Sequence, residues 1–134
     1  MSACVLDTDV VIAALDRRDA HHRAAAATFG RFSEDGVEPL ISSVNYAESL
    51  VRPAEDEATL RAAIDAIASL GIRVIAPDMA TAKSAARFRG LGISLADGFA
   101  LATAAMHRAT VGSFDKRVRR ALPQANLHLC EQLQ

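Results

Sequence analysis

Short, largely apolar runs recur along the chain, each bounded by a turn-forming residue or by a change in hydrophobic period. Runs with such boundaries are typical of buried strands. The pattern predicts five strands, at residues 3–6, 39–41, 72–75, 110–112 and 127–130.

Helical periodicity lies between these runs and is clearest at residues 55–70. Acidic residues occupy the first turn of this segment and Gly71 follows it, which are typical start and stop signals of a helix. Its apolar positions follow the i, i+3, i+4, i+7 spacing of one helix face. They are Leu60, Ala63, Ile64 and Ile67.

A second helix is predicted after Ser94, with Ala-rich turns that allow close packing. The apolar face of this helix is expected to contain Leu95, Phe99, Ala102 and Met106. Further helices are predicted at residues 10–15, 21–32, 44–51, 79–89 and 116–122.

Strands that alternate with helices in this way favour an α/β fold with a mostly parallel central sheet of about five strands. Helices on both faces would make it a three-layer α/β/α sandwich with right-handed crossovers. Since 134 residues fit one core, we expect a single domain, 1–134.

The composition and the N-terminal residues indicate where in the cell the protein is located. Hydrophobic residues make up 51% of the chain, and no apolar run approaches the roughly 20 residues that a membrane-spanning helix needs. Residues 1–15 contain Asp7 and Asp9 and lack the basic start of a signal peptide. We therefore expect no membrane association and a cytoplasmic location.

The net charge of −1 excludes a strongly basic protein that holds duplex nucleic acid by bulk electrostatics. It leaves room for a nuclease whose bound metal supplies positive charge locally. The two cysteines, Cys4 and Cys130, have a spacing that fits neither a zinc site nor a disulfide framework. We interpret both as buried small hydrophobic residues.

Acidic residues follow two of the predicted strands. Asp7 ends the first strand, and Asp115 comes shortly after the fourth. The carboxyl ends of parallel strands share one edge of a sheet, where α/β proteins bind ligands. Glu48, in the helix after the second strand, and Asp97, in the first turn after Ser94, can face the same edge. The four acids are therefore predicted to converge in one pocket.

Converging carboxylates raise one another's pKa unless a cation compensates their charge. Mg²⁺ and Mn²⁺ suit hard oxygen ligands, and Mg²⁺ keeps positions open for a substrate phosphate. Such a pocket indicates phosphodiester chemistry.

Each acid also has a structural alternative. Asp97 completes a capping box with Ser94, and Asp7 and Asp115 can each cap the helix that follows. Glu48 lies too far into its helix to be a cap, so its alternative is a solvated surface position. The prediction of a site rests on the joint placement of the four.

The segments that carry these acids resemble the PIN domain, and in particular the single-domain VapC toxins of bacterial toxin-antitoxin pairs. The resemblance runs end to end, through residues 5–13 (VLDTDVVIA), a helical Glu48, residues 93–102 (ISLADGFALA) and residues 113–115 (SFD). Its most specific element is an acid that opens an Ala-rich helix and is followed later by a Ser/Thr-x-Asp unit.

The resemblance implies a PIN-like sandwich and a metal-dependent endoribonuclease. The implied catalytic acids are Asp7, Glu48, Asp97 and Asp115. The implied metal ligands are Asp7, Asp97 and Asp115, with Mg²⁺ as the cofactor and Mn²⁺ able to substitute. Thr8 and Ser113 are implied supporting polar residues. The implied partners are an RNA substrate such as tRNA or rRNA, a VapB-type antitoxin and a second copy of the chain.

Two positions depart from the family pattern. Asp9 stands where Ser or Asn is more usual, and we leave it out of the predicted catalytic set. Ser113 stands where Thr is usual, a change that keeps the hydroxyl group.

Two basic clusters could contact RNA phosphates or form solvated surfaces. The first comprises Lys116, Arg117, Arg119 and Arg120, and the second Arg17, Arg18 and Arg23. No histidine has a partner at a spacing that suggests a general base. With one Tyr and no Trp, no aromatic platform for base stacking is expected.

Two other functions stay open. Asp7 and Asp9 also fit the D-x-D start of a haloacid-dehalogenase-like phosphatase, as nucleophile and general acid, but that class leaves Glu48 and the later acids unexplained. The second alternative is a catalytically silent PIN domain that serves as a binding module.

Overall fold

The computed structural model describes residues 2–134, which form four strands and seven α-helices. The strands are β1 (Ser2–Leu6), β2 (Val37–Ser42), β3 (Arg73–Ile75) and β4 (Thr110–Gly112). The helices are α1 (Thr8–Leu15), α2 (His22–Asp35), α3 (Ser43–Leu50), α4 (Glu57–Ser69), α5 (Met79–Phe88), α6 (Leu95–His107) and α7 (Lys116–Ala121). Short 3₁₀ turns lie at Pro53–Glu55, Arg89–Leu91, Pro123–Ala125 and Glu131–Leu133.

All pairings in the sheet are parallel, and the strand order is β3-β2-β1-β4. In the register, Cys4 of β1 lies between Pro39 of β2 and Thr110 of β4. Along the sequence, β2 is added on one side of β1 and β3 is added next to β2. The chain then returns and adds β4 on the other side of β1. The direction of building therefore reverses between β1 and β4, and in open α/β sheets the crevice at such a point binds ligands.

Alternation along β1 and β2 buries two separate apolar layers. Leu6 and Ile41 face one layer, together with Val10 and Val11 of α1, whereas Val5 faces the other. The second layer also contains Leu40 of β2 and residues of α6 and α7. The α/β/α sandwich with a parallel sheet is thus confirmed. No helix within residues 2–134 is long and apolar enough to cross a membrane.

Side-chain caps fix where most helices begin, because a side-chain oxygen accepts one of the backbone N–H groups that the first turn leaves free. The caps are Asp7 for α1, Ser42 for α3, Asp56 for α4, Asp78 for α5, Ser94 for α6 and Asp115 for α7. Several residues at the carboxyl edge of the sheet therefore also start helices there.

The fifth predicted strand, at residues 127–130, is only a single bridge between Val111 and Leu129. Val111 donates to the His128 carbonyl at 2.9 Å, and Cys130 donates back to Val111 at 2.8 Å. The neighbouring β4 has three residues and a 3₁₀ turn begins at Glu131, so the ladder cannot continue.

The predicted apolar face of α6 is right for the buried Ala102 and the half-buried Phe99 but wrong at its two ends. Leu95 is 48% exposed and Met106 is 50% exposed, whereas Ala100, Leu101 and Ala104 are fully buried. The reason is that α6 packs against the sheet on one side and against α5 on the other, so that its small residues fill both contacts.

Gly98, in the first turn of α6, marks the closest approach of α5 and α6. A Cβ atom at this position would lie 2.5 Å from the carbonyl oxygen of Ala85 in α5. Only glycine permits this spacing, and the contact sets the position of the α6 first turn.

Both cysteines are buried, as predicted, and they lie side by side. A Cβ atom added at Gly112 would lie 3.3 Å from the sulfur of Cys4 and 3.7 Å from that of Cys130. Contact with Cys130 and burial both raise the pKa of the Cys4 thiol. The adjacent thiols join β1 to the segment after β4.

Candidate active site

Asp7 stands at the carboxyl end of β1, where the direction of sheet building reverses. Its backbone N–H donates to the Gly112 carbonyl at 2.8 Å, which fixes the end of β1 against β4. The side chain is 3% exposed. One carboxylate oxygen accepts from the Thr8 backbone N–H at 2.9 Å, and the other accepts from the Ser113 hydroxyl at 2.8 Å. Asp7 therefore both caps α1 and faces the turn after β4.

Burial is the main cause that raises the pKa of Asp7 from 3.8 to about 8, and the charges of Asp9 and Asp97 add to it. Hydrogen bonds from Ser113 and Thr8 lower the pKa but do not offset burial. The group is therefore held partly protonated near neutral pH, and a nearby cation would stabilise its ionised form.

Asp9, in the first turn of α1, points toward the same turn after β4. Its Oδ2 accepts from the Phe114 backbone N–H at 3.0 Å. The buried Oδ1 has no hydrogen-bond partner in the described part of the chain. Burial raises the pKa of Asp9 from 3.8 to about 6, with the charges of Asp115 and Asp97 acting in the same direction. An unpartnered buried oxygen is costly and is suited to a ligand that accepts its lone pair.

Asp97 and Asp115 complete the cluster and also carry out the capping roles that the sequence suggests. Asp97 Oδ2 accepts from the Ser94 N–H at 3.2 Å in a capping box, and Asp115 Oδ1 accepts from the Arg117 N–H at 2.7 Å. In residues 2–134, neither carboxylate uses its second oxygen in a hydrogen bond. We refer to Asp7, Asp9, Asp97 and Asp115 as the acid cluster.

Ser113 connects two members of the cluster. It is fully buried, donates its hydroxyl to Asp7 and accepts the Asp115 N–H at 3.1 Å. Its hydroxyl thus holds the turn after β4 against the end of β1.

Glu48 is exposed and lies at the rim of the cluster. The Thr8 hydroxyl donates to Glu48 Oε1 at 2.6 Å. The fully buried Asn45 donates to Thr8 Oγ1 at 3.1 Å and to the Ala96 carbonyl at 3.2 Å. Asn45 thereby fixes α1, α3 and α6 around the site, and Glu48 reaches the cluster through Thr8.

The side chains do not form a preassembled metal centre. Among residues 2–134, no three His, Cys, Asp or Glu side chains are arranged as a group that could hold a metal ion. Asp97 and Asp115 each direct one oxygen to a helix N-terminus instead. The donor chemistry still fits a hard divalent cation, since the cluster is all carboxylate and includes the unpartnered Asp9 Oδ1.

Three contributors to the site are not among the predicted residues. Asp9 lies outside the predicted catalytic set, although its D-x-D spacing from Asp7 is a sequence signal for a shared site. Asn45 gives no such signal. His21 has no partner at a suggestive sequence spacing, but its ring stacks on that of Phe114, with centroids 4.2 Å apart and planes 9° apart. Phe114 thus connects a small aromatic stack to the acid cluster.

A cavity of about 690 Å³ extends from Glu48 between α1, α3 and α4. We call it the apolar groove, because Ile12, Leu15, Val51 and Pro53 line it. Val51 is 70% exposed and Ile12 39% exposed, so the groove presents apolar side chains to solvent.

The chain is an α/β protein with a parallel sheet, and its acid cluster lies at the carboxyl edge, where proteins of this class bind ligands. The model of the PIN domain family matches residues 4–121. The chain therefore belongs to the PIN domain family. A search of curated proteins gave no significant match.

Several solved structures share the fold. A chain of the VapBC2 complex from Rickettsia felis, bound to a promoter DNA fragment, superposes with a TM-score of 0.75 at 17% identity, covering 96% of this chain and 97% of that one. VapBC-1 from nontypeable Haemophilus influenzae gives a TM-score of 0.73 at 15% identity, covering 98% and 99%. VapC20 of Mycobacterium tuberculosis, a sarcin-ricin loop cleaving toxin, gives 0.68 at 18% identity, covering 88% and 94%.

Proposed function

We propose that this protein is a Mg²⁺-dependent endoribonuclease that hydrolyses RNA phosphodiester bonds and acts as the toxin of a VapBC-type toxin-antitoxin pair. The observation that carries the proposal is the acid cluster, in which two carboxyl groups have pKa values raised to about 8 and about 6. Ionising such buried groups destabilises a protein unless a cation compensates their charge. A structural role alone does not account for this cost.

The proposed metal ligands are Asp7, Asp97 and Asp115, and the unpartnered oxygen of Asp9 is a further candidate. When bound, Mg²⁺ supplies Lewis-acid stabilisation of the charge that develops on the phosphoryl oxygens. The chain itself positions the acids. Ser113 orients Asp7, and the Phe114 N–H orients Asp9.

Glu48 is suited to a proton-transfer role at the rim of the site. Its carboxylate is exposed, and its Oε1 accepts a hydrogen bond from the Thr8 hydroxyl at 2.6 Å. Thr8 directly follows Asp7 in the chain. A carboxylate held in this way can accept a proton from an attacking water. We therefore keep Glu48 with Asp7, Asp97 and Asp115 in the proposed catalytic set.

The proposed antitoxin partner is supported by the apolar groove. Solvent-exposed apolar side chains that line a groove next to a charged site are typical of a protein-binding surface. Several structural neighbours are themselves toxin-antitoxin complexes. A VapB-type segment that fills the groove would end near Glu48. A homodimer is a further part of the proposal.

The test is cleavage of cellular RNA by purified protein freed of any antitoxin, in Mg²⁺ or Mn²⁺, with the new RNA ends mapped. We expect cleavage that EDTA abolishes and that Asp97→Asn reduces by about 100-fold or more. Asp65→Asn is the matched control, because Asp65 is an exposed acid on α4 outside the cluster.

Two results would replace the proposal. Asp7-dependent release of phosphate from small phosphoesters, with no RNA cleavage, would indicate the phosphatase alternative, although the family match favours a nuclease. RNA or protein binding by folded protein that cleaves no RNA would indicate a silent binding module.

A further inference from the structure

A second cavity, of about 410 Å³, opens between α7 and the 3₁₀ turn at Arg89–Leu91. We call it the arginine cleft. Its lining consists of Leu91, Gly92, Arg117, Arg120, Ala121 and Gln124. The volume falls in the range of small-ligand sites, which is about 300–1,000 Å³.

The two arginines of the cleft are free to bind a ligand. Arg117 and Arg120 are exposed, and within residues 2–134 neither guanidinium takes part in an ion pair or a hydrogen bond. Their spacing of three residues places them on the same face of α7. Arg119 is different, because its Nε donates to the Ser113 carbonyl at 2.7 Å and supports the turn after β4.

Each wall of the cleft belongs to a segment that also carries a member of the acid cluster. Asp115 caps α7 and accepts the Arg117 backbone N–H at 2.7 Å. On the other wall, Gly92 comes two residues before Ser94, which forms the capping box with Asp97. Each wall of the cleft is thus joined through a few residues of chain to one member of the cluster.

We infer that the arginine cleft binds a backbone phosphate of the RNA strand, next to the phosphate that is cleaved. The identity of the strand rests on the proposed function. A guanidinium group presents planar donors that match phosphate oxygens in a bidentate contact. A free phosphate anion can occupy the cleft alone, whereas a polynucleotide carries one phosphate per nucleotide and can place one phosphate in the cleft and a neighbouring one at the acid cluster.

The experiment measures RNA binding rather than cleavage, in an Asp7→Asn background that blocks turnover. Fluorescein-labelled single-stranded RNA of random sequence is titrated with protein at several NaCl concentrations, and binding is followed by fluorescence anisotropy. For Arg117→Gln/Arg120→Gln we expect about tenfold weaker binding at low salt. The association constant decreases with salt, and the slope of its logarithm against log[NaCl] should become less negative by about 0.7 for each phosphate that the protein no longer neutralises.

Two further variants control for charge and folding. Arg61→Gln/Arg108→Gln removes two exposed cations elsewhere, and Arg108 follows a 13-residue helix that spans about 20 Å from the Asp97 end. This variant should keep nearly the parental slope. Arg117→Lys/Arg120→Lys should restore most of the slope, because the slope reports charge. All variants are compared by thermal unfolding.

Equal slopes in the cleft variant and the control variant would overturn the inference. So would loss of binding to an acidic peptide, rather than to RNA, in the cleft variant. Cleavage by the unmodified protein is measured separately, so the outcomes can be distinguished. Cleavage with equal slopes would reject the cleft alone, and Arg117- and Arg120-dependent binding without cleavage would reject the nuclease alone.

Discussion

The pKa of the Asp7 carboxyl group is higher in the folded chain than in the unfolded chain. The folded group has a pKa of about 8, against 3.8 for the ordinary carboxyl, and Asp9 is shifted in the same direction, to about 6. Between about pH 4 and pH 8 the folded state therefore binds more protons than the unfolded state. The free energy of unfolding must fall as the pH rises through this window.

We predict that metal-free protein unfolds at a lower temperature at about pH 8 than at about pH 5, because ionised Asp7 is buried. Asp7→Asn should remove much of this difference, and Mg²⁺ should stabilise the parent protein more at the higher pH. Thermal unfolding followed by circular dichroism in EDTA, then in Mg²⁺, measures both effects. A pH dependence in Asp7→Asn equal to that of the Asp65→Asn control would contradict the pKa argument.

The stack of His21 on Phe114 supports the residue that holds Asp9. We predict that His21→Ala lowers the free energy of unfolding by about 0.5–1.5 kcal/mol, the usual value of an aromatic pair. RNA cleavage should fall several-fold, while His21→Phe should retain both stability and cleavage. His107→Ala, an exposed histidine at the end of α6, is the control. If His21→Phe loses as much cleavage as His21→Ala, the imidazole nitrogens and not the stack are what the site requires.

Residue positions in the cluster were predictable where a local rule applied. Asp7 and Asp115 follow strands, and Asp97 opens a helix, so the shared edge could be inferred from the sequence. The contacts of Asp9 and Asn45 could not. Asp9 meets Phe114 across 105 residues, and Asn45 meets Ala96 across 51 residues. No pattern within one element encodes such contacts.

Elements with a clear hydrophobic periodicity were predictable from the sequence. Features that depend on the strands or helices packed against an element were not. The predicted helix at residues 55–70 is α4, Glu57–Ser69, preceded by a 3₁₀ turn that begins at Pro53. The strand predicted at residues 127–130 failed because strand length depends on the partner strand. The predicted face of α6 failed at Leu95 and Met106 because periodicity describes one buried face, whereas α6 has two.

Gly98 makes the contact of α5 and α6 testable. We predict that Gly98→Ala lowers the free energy of unfolding by about 1–3 kcal/mol, because a Cβ atom 2.5 Å from the Ala85 carbonyl forces the helices apart. RNA cleavage should fall as well, since Asp97 precedes Gly98 directly.

Gly30→Ala is the matched control, because Gly30 lies in α2 with nothing within 4 Å of an added Cβ atom. Alanine there should raise stability by up to about 1 kcal/mol. Urea unfolding measures both variants. Similar stability changes of the same sign would show that the α5–α6 contact does not depend on glycine.

At the scale of the whole molecule, the apolar groove presents Ile12 and Val51 to solvent next to the acid cluster. We predict that the native protein binds the hydrophobic dye ANS and that Val51→Asp lowers its fluorescence by about half, since a charge in the groove opposes apolar contact. Met79→Asp is a matched control, because Met79 is 74% exposed, close to the 70% of Val51, but lies at the start of α5. Equal losses of fluorescence would exclude the groove as the binding surface.

The hydrogen bond from Ser113 to Asp7 joins groups 106 residues apart. A ribosome makes the chain from its N-terminus at about 5–20 residues per second, so Asp7 and Asp9 emerge several seconds before the segment that completes their site. Until the segment after β4 is made, the growing chain lacks Ser113 and Asp115, so the acid cluster is incomplete. Under the proposed function, the nascent chain therefore gains a complete active site only after residues 113–115 have been synthesised.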